Sequence, residues 1–458
     1  MSGALLQLVA YGAQDVYLTG EPKVTFFKSA YKRYTNFAME TIKQTVNGSL
    51  GNGSLMSVTV RRNGDLIGDM FVQLQSNQDI TATYYGIPGY SGGFGYPDYS
   101  PLVTNNYPTA PDMCWVAERA FSQVELFIGG QSIDRHFQLW FRLYSEVFLD
   151  ETKRISWGKM TTSPVVINNG PQKSTSYVYL PLLFFFNKHP GLYLPLIALQ
   201  YHEVRIDFTL SSNYNTYFGT NNFSVWSNYI FLDTSEREMF AKKPHEYLIE
   251  QVQHIAGDGV SSVGENSPSI IRLNYNHPVK EIVWCYQYQD TTNNPNSLWN
   301  FTSNIYSAAT MTCGSSTLTH PQHSGCPVEA QIFLSEDGDE GMRATDYTTV
   351  GPLNDFYLMF NGQRRFEPQA GKYFNQYQPY QYNSGNPMAG IYVYSFALRP
   401  EDLQPSGSCN FSRLDMAECS LTLKTGVTAV APRNQQMFAI NYNILRIQSG
   451  LGGLAFSN

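Results

Sequence analysis

Two stretches of the chain alternate apolar and polar residues with a period of two. VRIDFTL (204–210) sets Val204, Ile206, Phe208 and Leu210 against Arg205, Asp207 and Thr209. AECSLTL (417–423) repeats the pattern with Ala417, Cys419, Leu421 and Leu423. IYVYSFAL (391–398) alternates small or aliphatic residues with Tyr392, Tyr394, Phe396 and Leu398. Successive side chains of a strand point to opposite faces, so these segments predict strands with one buried face. Helical periodicity is scarcer. In SIDRHFQLWFRLYSEVF (132–148), Ile133, Phe137, Trp140, Phe141, Tyr144 and Phe148 recur at steps of three and four. That predicts one amphipathic helix, with Ser132 placed to cap its first turn and an edge or end of a sheet as the surface it covers.

The same strand-and-turn is written twice. VELFIGGQSIDRHF (124–137) and LMFNGQRRF (358–366) each carry an apolar run into a Gly-Gln pair and then an arginine. Four further pairs keep the same order at a shorter, nearly constant offset: NFAMETIKQ (36–44) with EYLIEQVQ (246–253), GDLIGDMFVQLQ (64–75) with VKEIVWCYQYQ (279–289), VRIDFTL with CSLTL (419–423), and SNYIFLDT (227–234) with NYNILRIQ (441–448). Five matches in register indicate an internal duplication, with copies running from about 26 to 235 and from 236 to about 448. Each copy holds about eight strands and few helices, which fits two antiparallel sheets packed as a jelly roll. The expected fold is all-β: two tandem eight-stranded jelly-roll sandwiches with few short helices and long loops. The predicted organisation is an N-terminal arm (1–25), a first jelly roll (26–235), a second (236–448) and a C-terminal tail (449–458). The arm is expected to be extended. Long insertions, 76–111 and about 290–352, leave both copies between corresponding strands and should project from the same end; loops of that length are usually functional.

Composition narrows the partners. At 458 residues, two domains of about 200 residues are expected. Charged residues are 15% and aromatics 14%, with 32 Tyr and 28 Phe, so polar aromatic surface is available for contacts. The net charge is −7 and no Lys/Arg cluster exceeds two residues, which argues against direct nucleic-acid binding. The longest apolar run, YLPLLFFF (179–186), is too short to span a bilayer, and MSGALLQLVAYGAQD lacks a basic leader. Synthesis in a cytosol follows as the expectation, with the six cysteines as thiols.

No catalytic constellation emerges. GYSGG (89–93) fits the nucleophile-elbow pattern, but Pro88 before it and FGYPDY after it forbid the strand–turn–helix the motif requires. Cys313, His320, His323 and Cys326 offer ligand types suited to zinc at a spacing that matches no common finger; zinc, a Cys313–Cys326 disulfide and unpaired loop residues remain the alternatives. SEDGDEG (335–341) misses the calcium-loop order at Gly341, and Gly371-Lys372 is followed by Tyr373 rather than a hydroxyl residue, so no phosphate loop is present. His202 and Glu203, read as neighbours in a strand, would point to opposite faces and cannot act together; His202 reads as a core or interface residue. Five N-x-S/T sequons occur, at Asn47, Asn52, Asn222, Asn300 and Asn410. Asn300 is expected to be the most exposed and Asn410, leading into a strand, to be covered. No metal, cofactor or catalytic residue is assigned.

The residues also carry a specific likeness. LVAYGAQDVYLTGEPKVTFFKSAYKRYTNFAMETI (8–42), RNGDLIGDMFVQ (62–73), IGGQSIDRHFQLWFRLY (128–144), PLLFFFNKHPGLYLPLIALQYHEV (181–204), VWSNYIFLDTSERE (225–238), PHEYLIEQVQ (244–253), VYSFALRPEDLQPSGSCNFSRLD (393–415) and NYNILRIQSGLGGLAF (441–456) resemble the major capsid proteins of chloroviruses, large icosahedral DNA viruses of algae. The chain departs from them in 76–111, 290–352 and 425–437. The resemblance implies a double jelly-roll shell subunit of the virion, assembled in the host cytoplasm. It would form homotrimers that tile with neighbouring capsomers and meet minor capsid proteins. It also implies outward loops bearing covalent glycans at sites outside the usual sequon, which makes Asn293, Asn294, Asn296 and Asn300 the candidates. A minor capsid paralogue of the same fold, or a jelly-roll lectin or hydrolase, are the alternatives.

Overall fold

The computed structural model describes residues 3–76, 115–162, 177–219, 222–256, 268–288, 298–299, 301, 309–313, 316–320, 350–423 and 433–456. The chain separates into two units, residues 1–37 and 38–458. The first holds two short helices, α1 (Gly3–Val9) and α2 (Val16–Thr19), so the arm is not extended throughout. It is rich in exposed apolar and aromatic side chains, among them Phe26, Phe27, Tyr31 and Tyr34, interspersed with Lys23, Lys28, Lys32 and Arg33.

Among the described residues, sixteen principal strands form two sets of eight. In the first set these are β1 (Phe37–Lys43), β2 (Leu55–Thr59), β3 (Leu66–Gln75), β4 (Phe121–Ile128), β5 (Gln131–Phe137), β6 (Tyr177–Pro181), β7 (Val204–Leu210) and β8 (Phe223–Leu232). In the second they are β9 (His245–Ala256), β10 (Ser269–Arg272), β11 (Pro278–Tyr288), β12 (Leu353–Phe360), β13 (Gln363–Arg364), β14 (Ile391–Ser395), β15 (Ala417–Leu423) and β16 (Arg433–Gln448). The first set forms sheets ordered β1-β8-β3-β6 and β2-β7-β4-β5; the second forms β9-β16-β11-β14 and β10-β15-β12-β13. Adding eight to each strand number of the first barrel gives the second. All five sequence matches fall on equivalent strands, and both long insertions follow equivalent strands, β3 and β11. The fold is a double jelly roll.

Alternation builds each sandwich. β7 buries Val204, Ile206, Phe208 and Leu210 and leaves the intervening residues half-exposed, as its period predicts. β14 departs from expectation, because its residues Ile391 to Tyr394 are all buried. Tyr392 and Tyr394 enter the core of the second barrel, while Ile391 and Val393 join a cluster shared with the first.

The segment 132–148 is not one helix. Residues 131–137 form β5, and a helix, α3, occupies Gln138–Val147. Gly129 and Gly130, at φ of 58° and 82°, reverse the chain as glycine readily does, and β5 then pairs antiparallel with β4. Ladder hydrogen bonding to β4 outcompetes helix over these residues. Ser132 therefore caps nothing; its hydroxyl donates to Glu125 Oε1 at 2.5 Å across the hairpin. α4 (Glu151–Thr161) follows, capped by Asp150, whose carboxylate accepts from Lys153 N at 2.7 Å. α5 (Thr234–Lys242) links the barrels. No helix among the described residues is long and apolar enough to cross a membrane.

Candidate assembly surfaces

The two barrels of one chain meet along a buried seam. The β9-β16-β11-β14 sheet turns one face to its own barrel's core, through Ile282, Trp284, Tyr392 and Met437. Its other face carries Val283, Cys285, Ile391, Val393, Phe438 and Ile440, which pack into the core cluster of the first barrel. Against this second face lies α3. Trp140 is 1% exposed and its ring centroid is 5.6 Å from that of Phe438. Phe438 in turn stacks on His254 at 4.5 Å, and His254 meets Phe137 at 4.5 Å.

Polar groups fix the register of the seam. Asp134, on β5, binds His136 Nε2 at 2.9 Å with one oxygen and accepts from Val252 N of β9 at 2.9 Å with the other. Gln251 donates to Ile133 O. This buried Asp–His pair is thus engaged in holding the edge of one barrel to the first strand of the next. The C-terminal strand Leu451–Leu454 pairs with β16 and also reaches the first barrel: Leu454 N donates to Gln131 Oε1 at 3.1 Å. His202 precedes β7 rather than lying in it, and its Nδ1 sits 2.8 Å from Gly452 O, an interface role. Gly385 approaches the end of α3 so closely that a Cβ would lie 2.3 Å from Glu146 O. Its N–H donates to Val147 O at 2.9 Å.

An ionic bridge closes the seam. Lys188 of the first barrel donates to Glu250 Oε2 at 3.0 Å, and Lys280 binds Glu250 Oε1 and donates to Pro400 O at 2.6 Å. Burial alone would raise the Glu250 pKa, but the two ammonium groups outweigh it and hold the carboxyl down to about 2. Next to Lys280, Glu281 is fully buried and has no such neighbour pair. Burial pushes it up to about 8, against a 2.9 Å hydrogen bond from Asn383 Nδ2 to its Oε1.

Behind α3 sits a second charged cluster. Arg142 pairs with Glu118 at 3.3 Å and with Glu146, and its guanidinium lies 3.9 Å over the Trp115 ring. Trp157 Nε1 of α4 donates to Glu118 Oε1 at 2.7 Å. Burial holds Glu118 above the usual carboxylate range despite these partners. Both carboxylates are buried and saturated from within, so the cluster locks α3 to α4.

The same face of the first barrel's β1-β8-β3-β6 sheet is bare by comparison. Phe71, Tyr179 and Trp226 are half-exposed there, with Tyr177 and Met39 exposed beside them. Sequence reading missed the seam. The signal was present in IVWCY (282–286) and IYVY (391–394), apolar without alternation, as strands buried on both faces are.

Asn293, Asn294, Asn296 and Asn300 lie outside the described residues, as do GYSGG, SEDGDEG, His323, Cys326 and the side chains of Cys313 and His320. Asn47, Asn52 and Asn222 are exposed. Asn410 is exposed too, contrary to expectation: its strand is only two residues long, and its side chain accepts from Ser412 N at 3.1 Å to start a turn. Cys285, Cys409 and Cys419 are free thiols.

Comparison with known proteins covers the whole chain. Residues 25–233 match the family described as "Major capsid protein N-terminus", and 236–453 match "Large eukaryotic DNA virus major capsid protein". The major capsid protein of Paramecium bursaria Chlorella virus 1 is 42% identical, with all of both chains aligned. That of Phaeocystis pouchetii virus is 33% identical, again over all of both chains. Among solved structures, the quasi-atomic model of the PBCV-1 virus capsid matches with a TM-score of 0.72 at 37% identity, over 95% of this chain and 100% of that one.

Proposed function

This chain belongs to the major capsid protein family of large eukaryotic DNA viruses, and from that premise we propose that three copies close into a pseudo-hexagonal capsomer that tiles the shell. The observation that carries this is the strand-for-strand equivalence of the two barrels. A cyclic trimer of such a chain presents six similar wedges about its axis, and a near-hexagonal outline paves a flat face with repeated edge contacts. Duplication gives six-sided shape from three-fold assembly and lets the two halves diverge. Low charge limits repulsion between crowded neighbours.

The division that goes with this reading is an arm (1–25), barrels at 26–235 and 236–448, and a tail (449–458). The aromatic and basic side chains exposed at residues 22–37 suit contact with neighbouring capsomers or minor capsid proteins at the inner face. Asn293, Asn294, Asn296 and Asn300, in the insertion after β11, carry glycans on this reading. The chain works without catalysis, in a shell assembled in the host cytoplasm. Light scattering on the purified chain tests the central claim: at 51.7 kDa per chain, a trimer weighs about 155 kDa. A chain that stays monomeric at every concentration refutes it. Deleting residues 2–24 should leave trimers intact while impairing shell assembly; loss of the trimer itself would count against the role given to the arm.

A further inference from the structure

The core of the second barrel is polar at one spot. Strand alternation turns Ile282, Trp284 and Tyr286 of β11, with Met437 and Ala439 of β16, toward that core. The same alternation turns Gln435 inward, and the ladder sets it directly opposite Tyr286. Gln435 is only 1% exposed. From the facing sheet, Cys419 of β15 reaches the same place. The Gln435 amide lies beside its thiol, and the phenols of Tyr275 and Tyr286 both feel it electrostatically. Trp284 brings its indole nitrogen beside the Tyr286 hydroxyl. Side chains from β11, β15, β16 and the segment before β11 therefore converge.

The polar atoms gathered there lack protein partners. Tyr275 OH, Trp284 Nε1, Tyr286 OH and both amide atoms of Gln435 are buried and make no hydrogen bond of good geometry. Tyr392, whose ring lies 5.8 Å from that of Tyr286, shows how the same core serves a phenol fully: its hydroxyl donates to Val350 O at 2.9 Å and accepts from Leu353 N at 3.0 Å. A buried polar atom left unpaired forfeits its hydration for nothing, so such atoms are nearly always paired with protein or with ordered water. The cluster is also neutral, since burial pushes the Cys419 thiol up to about 12. Neutral donors and acceptors together suit a neutral molecule that both gives and takes hydrogen bonds. Aromatic packing keeps that molecule small: Trp284 is stacked 4.5 Å from Phe356 and lies 5.4 Å from Phe374.

We propose that ordered water molecules held by Tyr275, Trp284, Tyr286 and Gln435 are a built-in part of the second barrel's core. Between them the waters accept from Trp284 Nε1 and Gln435 Nε2 and donate to Gln435 Oε1, while the two hydroxyls turn to suit. That supplies the roughly two to four polar partners a buried water needs. Tyr286 and Gln435 stand near the end of β11 and the start of β16, so the waters sit at the end of the barrel from which the long insertion leaves. The first barrel is built differently at its own inner ladder, where Val72 faces Val225 and neither has anything to hydrate.

Removing one hydroxyl gives opposite signs for a hydrated and a dry cluster. With water in place, Tyr286→Phe loses a hydrogen bond and should lower the folding equilibrium constant of the full-length chain about three- to tenfold, as measured by chemical denaturation. Tyr392→Phe, which loses partners already seen, calibrates the size of that loss. In a dry core Tyr286→Phe would delete an unpaired group, and stability would hold or rise; that result overturns the proposal. A crystal or cryo-electron microscopy structure that shows ordered water gives the second readout. Density should lie within hydrogen-bond distance of Tyr286 OH and of the Gln435 amide, and it should weaken in the Tyr286→Phe protein. An interior without such density, its side chains paired directly with one another, overturns the proposal, as does density that fits only a larger additive.

Discussion

The connection after the fifth strand of the first barrel and its counterpart in the second differ most in what covers them. In α3, eight of ten residues are buried, including Arg142 and Glu146. In the 373–382 stretch only Phe374, Asn375, Gln378 and Pro379 are buried, all on the side of their own barrel. The sheets show the same contrast. The face of β9-β16-β11-β14 that meets α3 is closed and mainly aliphatic around Phe438, whereas the corresponding face of β1-β8-β3-β6 is aromatic and half-open. Aliphatic groups suit a permanent core contact between covalently linked halves. Tyrosine, tryptophan and glutamine suit a face that is apolar in body yet meets water at its polar edges.

The sharpest way to break the comparison is to truncate the covered side. Trp140→Ala should cost about 3–5 kcal/mol, because it empties a volume shared by both barrels. Chemical denaturation followed by tryptophan fluorescence and circular dichroism measures it; a cost below about 1 kcal/mol would mean that the seam is not a core. Nearly as large an effect is expected behind it. Arg142→Met removes the ion-pair partner of buried Glu118 and leaves Glu146 with Arg154 alone, and should destabilise by about 3–5 kcal/mol, with partial recovery when Glu118→Gln and Glu146→Gln are added. Additive losses in the triple variant would contradict a coupled cluster.

The seam's two glutamates sharpen the comparison through pH. Glu250 titrates at about 2 in the folded chain against an ordinary 4.5. Its folded value is depressed, so its contribution of about 3 kcal/mol is present above pH 4.5 and is lost as pH falls toward 2. Glu281 has the opposite sign. Its folded value is raised from 4.5 to about 8, so stability is eroded as pH climbs through that window. Between them, these two glutamates disfavour both strongly acidic and alkaline conditions. Glu281→Gln should flatten the alkaline limb and leave the acid limb alone, as read from melting temperature between pH 3 and 9. An unchanged alkaline slope would exclude Glu281 as its source.

Much of this architecture was legible in the residues. Strand alternation in VRIDFTL and AECSLTL is a local consequence of one wet and one dry face, and both stretches are strands as predicted. The duplication was readable because equivalent strands keep equivalent apolar positions. What escaped detection depends on the other barrel. Ile133 and Phe137 fit a helical stripe with Trp140 and Tyr144 because the second barrel helps to bury β5 and α3 together. No local rule separates that from one long amphipathic helix. The open face is harder still, since Phe71 and Trp226 read as ordinary strand residues whose outward faces follow only from the pairing of β3 with β8.

The smallest effect on the chain should fall on the uncovered connection. Tyr380 has most of its ring in water, so Tyr380→Ala removes little packing and should change monomer stability by no more than about 0.5 kcal/mol. Trp140 occupies the equivalent connection, yet its loss should be several times costlier, because its partner is already in place. Measured side by side under dissociating conditions, the pair isolates the contribution of the covering barrel from that of the helix itself. If Tyr380→Ala proves as damaging as Trp140→Ala in the monomer, the 373–382 stretch is already covered in the free chain. The two connections would then differ in sequence but not in state, and the contrast in burial between them would be gone.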